Sequence, residues 1–146
     1  MREIFFRGKN KFGEWYYGYY TEGYYLDGTP VSWIEVVDRK KEDTESVTVI
    51  PDTVGQFTGL TDKNGKRAFE HDVIKHHFGD EIGVIRYGEY RNTFGDDNFG
   101  GHAGFYVDWV TGETPELLRK DLAYWMKIVE ILGNIHDNPE LLGGVG

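Results

Sequence analysis

Apolar residues in the first half of the chain recur in short runs that Gly, Asp and charged residues interrupt. Short runs rich in aromatic and β-branched residues are typical of strands rather than helices. The pattern predicts strands at REIFFRG, VSWIEVV and VTVIP. It also predicts a hairpin in EWYYGYYTEGYYLDG, with a turn at Thr21-Glu22-Gly23 and a further turn at Asp27-Gly28. The charged segment DRKKEDTES has no apolar face and is interpreted as a loop.

The second half of the chain combines strands with one helix. EIGVIRYGEY and FYVDWV predict strands, and Gly83 indicates a bulge or a close approach in the first of them. Thr114 and Pro115 are residue types that begin helices, and an apolar stripe follows, so PELLRKDLAYWM predicts a helix. KIVEILGNI predicts a final strand, and DNPELLGG predicts one helical turn with Asn138 as its cap.

These elements predict a mainly β fold of the α+β type. Residues 1–53 would form an aromatic β-hairpin region, and residues 54–146 a small barrel-like region with one inserted helix. The alternative is one continuous domain, because 146 residues is the usual size of a single compact domain.

The charge balance and the absence of cysteine exclude several function classes. Sixteen Lys and Arg against 25 Asp and Glu give a net charge of −9, which disfavours direct binding to nucleic acid or to anionic membranes. With no cysteine, thiol catalysis and disulfides are excluded, and a reducing cytoplasm is expected. MREIFFRGKN lacks the apolar core of a signal peptide, and no apolar run approaches the roughly 20 residues of a membrane span.

A cluster of metal-ligand residue types lies in EHDVIKHH, which holds Glu70, His71, Asp72, His76 and His77. On a strand His76 and His77 face opposite sides, and His71 lies roughly 20 Å from His77. Zinc ligands must instead converge within about 2.0–2.3 Å of one point. The histidines are therefore interpreted as surface residues on a strand rim, and neither a metal nor a cofactor is predicted. A helix would instead place His71, Asp72 and His76 on one face.

No catalytic motif is present in the chain. It contains no G-x-S-x-G elbow, no Walker loop and no dinucleotide fingerprint, so no catalytic residue is predicted and a non-enzymatic role is expected. The aromatic-rich stretch near the N-terminus favours cross-strand packing, and any exposed part of it would form a partner surface. The residues assigned to that surface are Trp15, Tyr17, Tyr19 and Tyr24.

Two motifs, QFTGLTDKNGKRAFEHDVIK and VEILGNIHDNPELL, together resemble the YopX family, uncharacterised proteins of bacteriophages and prophages. MREIFFR and AGFYVDW match that family more loosely. The resemblance implies a phage-derived, cytoplasmic, mostly β protein with an SH3-like barrel in its C-terminal half, and it implies no reaction. The motif residues, for which a structural or binding role is expected, are Phe57, Gly59, Leu60, Asp62, Asn64, Gly65, Glu70, His71, Asp72, Gly133, Asn134, Asn138 and Pro139.

Within the first motif, Asn64-Gly65 predicts a type I′ hairpin turn. The charged residues around it would then decorate a hairpin and need no chemistry. His71 stands where the family usually has Gly. The substitution implies that a positive φ or a close backbone approach is not required at this position, or that the backbone has shifted.

Three functions follow as hypotheses. The first is an interaction or assembly module that binds a protein partner or a second copy of itself. The second is an acidic protein that blocks the nucleic-acid-binding site of a host or phage enzyme. The third, which the ligand spacing disfavours, is a metal-dependent enzyme that uses the Asp and His clusters.

Overall fold

The computed structural model describes residues 5–37, 44–76, 81–90, 101–110 and 121–143. The chain divides into two compact units, Met1–Gly59 (unit 1) and Leu60–Gly146 (unit 2). This division falls after Gly59, whereas the sequence interpretation divided the chain after residue 53.

Unit 1 is an antiparallel sheet of strands in the order β4-β3-β2-β1-β5. A short 3-10 helix at Pro51–Thr53 connects β4 to β5. The strands are β1 Phe6–Lys9, β2 Trp15–Tyr24, β3 Pro30–Val37, β4 Thr44–Thr48 and β5 Gly55–Thr61, the last of which carries the chain into unit 2.

The aromatic stretch forms one continuous strand, so the turn predicted at Thr21-Glu22-Gly23 is wrong. All three residues pair with β3. The Trp33 ring packs beside Gly23, 3.4 Å from where a Cβ would stand. The hairpin reverses instead at Asp27-Gly28, where the second turn was predicted, and Gly28 has a φ of 89°.

Unit 2 contains an antiparallel sheet in the order β10-β7-β8-β9. The strands predicted at EIGVIRYGEY, FYVDWV and KIVEILGNI are confirmed as β8, β9 and β10, and the turn predicted at DNPELLGG is confirmed as α2. The elements are β6 Arg67–Phe69, β7 Asp72–His76, β8 Ile82–Tyr90, β9 His102–Trp109, α1 Leu122–Trp125, β10 Val129–Asn134 and α2 Glu140–Gly143.

The inserted helix is described only at its C-terminal end. Helix α1 begins after Asp121 and includes Leu122 and Trp125 of the predicted apolar stripe, both of which are buried. The predicted helix start at Thr114 and Pro115 lies outside the described residues.

The core of unit 2 lies on one face of its sheet, where Trp109 of β9 meets Trp125 of α1 edge to face at 5.1 Å. Gly83 is a close approach, as predicted, because a Cβ there would lie 2.4 Å from a methyl group of Val107. The buried core residues are Ala68, Ile74, Ile85, Val107, Trp109, Leu122, Trp125, Met126, Val129 and Ile131.

The mainly β fold is confirmed, whereas the SH3-like barrel is not. Both edges of the unit 2 sheet meet non-strand neighbours: Lys63 N–H donates to Val129 O on β10, and Asp121 forms a bridge with Tyr106 on β9. Among the described strands, no pairing closes either sheet into a barrel. Within the same residues, no helix has the length and apolar character needed to cross a membrane.

Candidate functional site

Three hairpin loops of the chain share one hydrogen-bond geometry. In each, the first residue donates its N–H to the fifth residue's carbonyl, and a glycine in fourth place donates to the first residue's carbonyl, at 2.8–3.1 Å. The glycines have φ values of 82–89°, which describes a three-residue loop closed by a left-handed glycine. The loops are Asn10–Glu14, Tyr25–Thr29 and Asp62–Lys66. The type I′ turn predicted at Asn64-Gly65 is therefore wrong, because of these two residues only Gly65 has a positive φ.

The side chain of Asp62 explains why the third loop has this form. Its Oδ1 accepts hydrogen bonds from the N–H groups of Asn64 and Lys66, both at 2.9 Å, and its Oδ2 accepts one from Ile131 N–H at 3.0 Å. Burial raises the pKa of Asp62, but the three backbone donors outweigh burial and hold this pKa below its usual value. The ionised carboxylate therefore ties the loop to β10.

The second family motif forms a loop closed by two asparagines. Asn134 Oδ1 accepts the N–H groups of His136 and Asp137, both at 2.9 Å, while Asn138 Oδ1 accepts Asn134 N–H at 3.3 Å. Asn138 also donates its N–H to Asn134 O at 2.9 Å. These bonds fix the backbone on either side of His136.

Gly133 is required because Asn138 occupies the space where a side chain would stand. A Cβ at residue 133 would lie 2.1 Å from Asn138 Oδ1 and 2.7 Å from its Cγ. We expect Gly133→Ala to displace Asn138 and to lower the free energy of unfolding by roughly 2 kcal/mol, measured by urea denaturation. The neighbouring change Leu132→Ala, at a half-exposed side chain, should cost much less. Equal losses in the two variants would contradict this role of Gly133.

His71 adopts a left-handed backbone conformation that favours glycine. Its φ is 78°, so the interpretation that a positive φ is not required here is wrong. For a side-chain-bearing residue this left-handed conformation costs roughly 1–2 kcal/mol. Two backbone bonds hold it there: His71 N–H donates to Ile85 O at 2.7 Å, and Ile135 N–H donates to His71 O at 3.1 Å.

The conformation of His71 brings its ring to the asparagine loop. His71 Nδ1 lies 3.0 Å from His136 Nε2, and the rings meet edge to face with centroids 5.0 Å apart. On its other side, His71 Nε2 lies 3.6 Å from Glu70 Oε2. We call Glu70, His71 and His136 the histidine cluster. His71 is thus partly buried in a turn, and the prediction that it lies on a strand rim is wrong.

The sequence interpretation missed His136, because nothing in the spacing links two histidines 65 residues apart. The His76 side chain and His77 lie outside the described residues. Across residues 5–37, 44–76, 81–90, 101–110 and 121–143, no three His, Cys, Asp or Glu residues are placed to hold a metal ion together.

The remaining motif residues have positions that indicate structural roles. Asp72 is buried, and its Oδ2 accepts Phe69 N–H at 2.8 Å. Phe57 is buried in unit 1 and contacts the Phe5 ring at 4.9 Å. Leu60 packs against the core of unit 2, and the carbonyl of Pro139 accepts Leu142 N–H at the start of α2. Gly59 has a φ of 85°.

The predicted partner surface on β2 is not one continuous face. Tyr17 and Tyr19 are exposed and have the same parity along the strand, whereas Tyr24 is exposed with the opposite parity. Trp15 is half-buried, with the Arg7 guanidinium 4.9 Å and the Lys9 ammonium 5.6 Å from its ring centre. Tyr20 bonds the hydroxyl of Ser32, and burial raises the pKa of Tyr20.

A cleft of about 430 Å³ lies in unit 1 beside the first two hairpin loops. The loops present Phe12, which is 75% exposed, and Tyr25, which is 55% exposed. The sequence did not predict Phe12 or Ile50 as residues of a binding site. The lining residues are Asn10, Lys11, Phe12, Tyr25, Val47, Thr48, Val49 and Ile50.

Comparison with known proteins gives a family match and a similar solved structure. Residues 5–143, nearly the whole chain, match the family described as YopX protein. No curated protein matches the chain. Among solved structures, the crystal structure of protein EF1440 from Enterococcus faecalis is 18% identical, with a TM-score of 0.49 over 97% of this chain and 99% of that one. On the family match, the chain belongs to the YopX family.

Proposed function

We propose that the protein is a non-enzymatic binding module whose unit 1 holds a partner protein in the aromatic cleft. The observation that carries the proposal is the cleft itself. Its volume falls in the range of ligand-binding pockets, and its lining combines aromatic and aliphatic side chains with the polar residues Asn10, Lys11 and Thr48. Phe12 and Tyr25 are exposed on glycine-closed loops. Exposed aromatic side chains of this kind are stabilised when a binding partner buries them.

The backbone next to the cleft favours an extended segment as the occupant. Val47 and Thr48 belong to β4, which is the outermost of the described strands in the unit 1 sheet. A strand in this position has one edge on which an extended peptide can add main-chain hydrogen bonds. The apolar side chains of such a segment would reach the neighbouring cleft.

The charge of the chain favours a different protein over a second copy. A net charge of −9 makes two copies repel each other, so the partner is expected to be neutral or basic. The proposal includes a phage or prophage origin and a cytoplasmic location. The YopX resemblance supports the origin, and the absence of cysteine supports the location.

The test uses a photo-reactive benzoylphenylalanine in place of Phe12, with the same residue in place of exposed Tyr87 of unit 2 as the control. Irradiation in bacterial host lysate should crosslink a protein at position 12 that position 87 does not crosslink. The crosslinked protein is identified by mass spectrometry, purified, and titrated against the unlabelled chain. We expect Phe12→Ala combined with Tyr25→Ala to weaken its binding at least tenfold and Tyr87→Ala to leave binding unchanged.

Two results would overturn the proposal. One is equal binding of the purified partner by the double variant and by the wild-type chain. The other is a crosslinked product of twice the chain mass as the sole product at position 12, since the occupant would then be a second copy. Light scattering on the uncrosslinked chain distinguishes this outcome.

A further inference from the structure

We propose that the histidine cluster of unit 2 is a two-histidine site for a divalent transition metal such as Ni²⁺. The inference is independent of the cleft in unit 1. It rests on the geometry of His71 and His136, on the placement of Glu70, and on the backbone that holds the two rings together.

The distance between the facing nitrogens fits two ligands in adjacent positions of one metal. His71 Nδ1 and His136 Nε2 lie 3.0 Å apart. Two nitrogens at the roughly 2.0–2.1 Å of a metal–imidazole bond, separated by a right angle, lie about 3.0 Å from each other. Right-angled coordination is typical of square-planar and octahedral metals and differs from the tetrahedral preference of zinc. Binding requires each ring to turn so that the two lone pairs meet at one point.

Glu70 lies where a carboxylate would orient a metal-binding histidine. Its Oε2 is 3.6 Å from His71 Nε2, the nitrogen that faces away from His136. A carboxylate at that position favours the tautomer with the proton on Nε2, which leaves Nδ1 with a lone pair. Without metal, His136 Nε2–H donates to this lone pair. On metal binding His136 would change tautomer, so that its proton moves to Nδ1 and Nε2 gains the lone pair that binds the metal.

The backbone places the two histidines side by side before any metal binds, so only their side-chain torsions must change on binding. His71 retains a left-handed conformation that a glycine would adopt without strain, and strained residues of this kind cluster at functional sites. Its carbonyl accepts Ile135 N–H, and Asn134 fixes the backbone of His136. The side chains of His71 and Glu70 are 17% and 26% exposed, so an ion can reach them from solvent.

The metal would have two protein ligands and complete its coordination with water, because no third His, Cys, Asp or Glu of the described residues converges with them. This set of ligands favours Ni²⁺ over the oxygen-preferring Mg²⁺. Two protein ligands leave at least half of the metal's coordination positions to water. A partner molecule could therefore also supply a ligand.

The experiment titrates tag-free protein at pH 7.5 with NiCl₂, and in separate arms with ZnCl₂ and MgCl₂, by calorimetry and thermal melting. We expect one Ni²⁺ per chain, a melting temperature raised by about 3–5 °C, a smaller rise with Zn²⁺ and none with Mg²⁺. Paramagnetic broadening should be strongest for the amide signals of residues 70–72 and 134–137.

Three variants decide which residues bind the metal. His136→Ala should weaken Ni²⁺ binding at least tenfold. His71→Gly should do the same while remaining folded without metal, because glycine suits the positive φ. His102→Ala removes an exposed imidazole elsewhere in unit 2 and should change nothing. Absence of Ni²⁺ binding to the wild-type chain, or unchanged binding in His136→Ala, would overturn the proposal.

Discussion

Replacing Asp62 with alanine is expected to lower the free energy of unfolding by roughly 3 kcal/mol. The substitution removes the carboxylate to which three backbone N–H groups donate hydrogen bonds. Asn64 and Lys66 are exposed, so water can satisfy their N–H groups in part. Ile131 is 7% exposed, so in the variant its buried N–H on β10 would be left without a hydrogen-bond acceptor. Most of the loss is therefore expected from the bond to Ile131, measured by urea denaturation.

A matched control exists in the loop Tyr25–Thr29 of unit 1. Asp27 there accepts Thr29 N–H at 2.9 Å and is exposed to solvent. Asp27→Ala should cost much less than Asp62→Ala, since water replaces an exposed carboxylate. If the two substitutions cost the same, the bond across to β10 does not carry the stability we assign to it.

The lowered pKa of Asp62 makes this contribution depend on pH. Burial opposes the shift, and the backbone donors produce it, so the folded pKa lies below the ordinary value of 3.8. The stability from the ionised carboxylate is therefore fully present above about pH 4 and is lost as the pH falls through the folded pKa. The difference in stability between the wild-type chain and Asp62→Asn should shrink over that acidic range and stay constant between pH 5 and 7.

The second large effect is expected for Trp125→Ala, at about 3–5 kcal/mol. The Trp125 side chain is 2% exposed and meets the Trp109 ring at 5.1 Å, so its removal leaves a cavity between α1 and the sheet of unit 2. Far-ultraviolet circular dichroism during guanidinium titration measures the loss without relying on tryptophan fluorescence. Tyr124→Ala, next to it in α1 but 50% exposed, should cost under 1 kcal/mol. Comparable losses in both variants would show that helix α1 itself is being disrupted.

Local patterns in the sequence predicted most of the strands, and the errors have identifiable physical causes. β8, β9, β10 and α2 follow from short apolar runs with glycine or proline at their ends. Gly23 was misread as a turn residue because a glycine inside a strand and a glycine in a turn look the same in one sequence. The Asn64-Gly65 turn was assigned the wrong type because the Asp62 side chain, which bonds two N–H groups of the loop, favours a three-residue loop.

The candidate sites were less predictable than the strands because their residues meet only after folding. His71 and His136 are 65 positions apart, and Asp62 and Ile131 are 69 positions apart. Periodicity reports which face a side chain occupies and does not report which distant side chain it will meet. The cleft escaped prediction for a related reason, since Phe12 and Ile50 come together from different loops of unit 1.

The bond between Asp62 and Ile131 has a consequence for the order in which unit 2 can assemble during synthesis. β10 follows β7 by more than fifty residues in the chain, and its outer edge is met by the loop that precedes β6. Contacts of such sequence separation carry a loop-closure cost and form slowly. During synthesis on the ribosome, the edge of β7 that pairs with β10 therefore stays unpaired until Val129–Asn134 has emerged. A chain that stops before residue 129 would keep that edge exposed, so we expect truncated forms to aggregate more readily than the full chain.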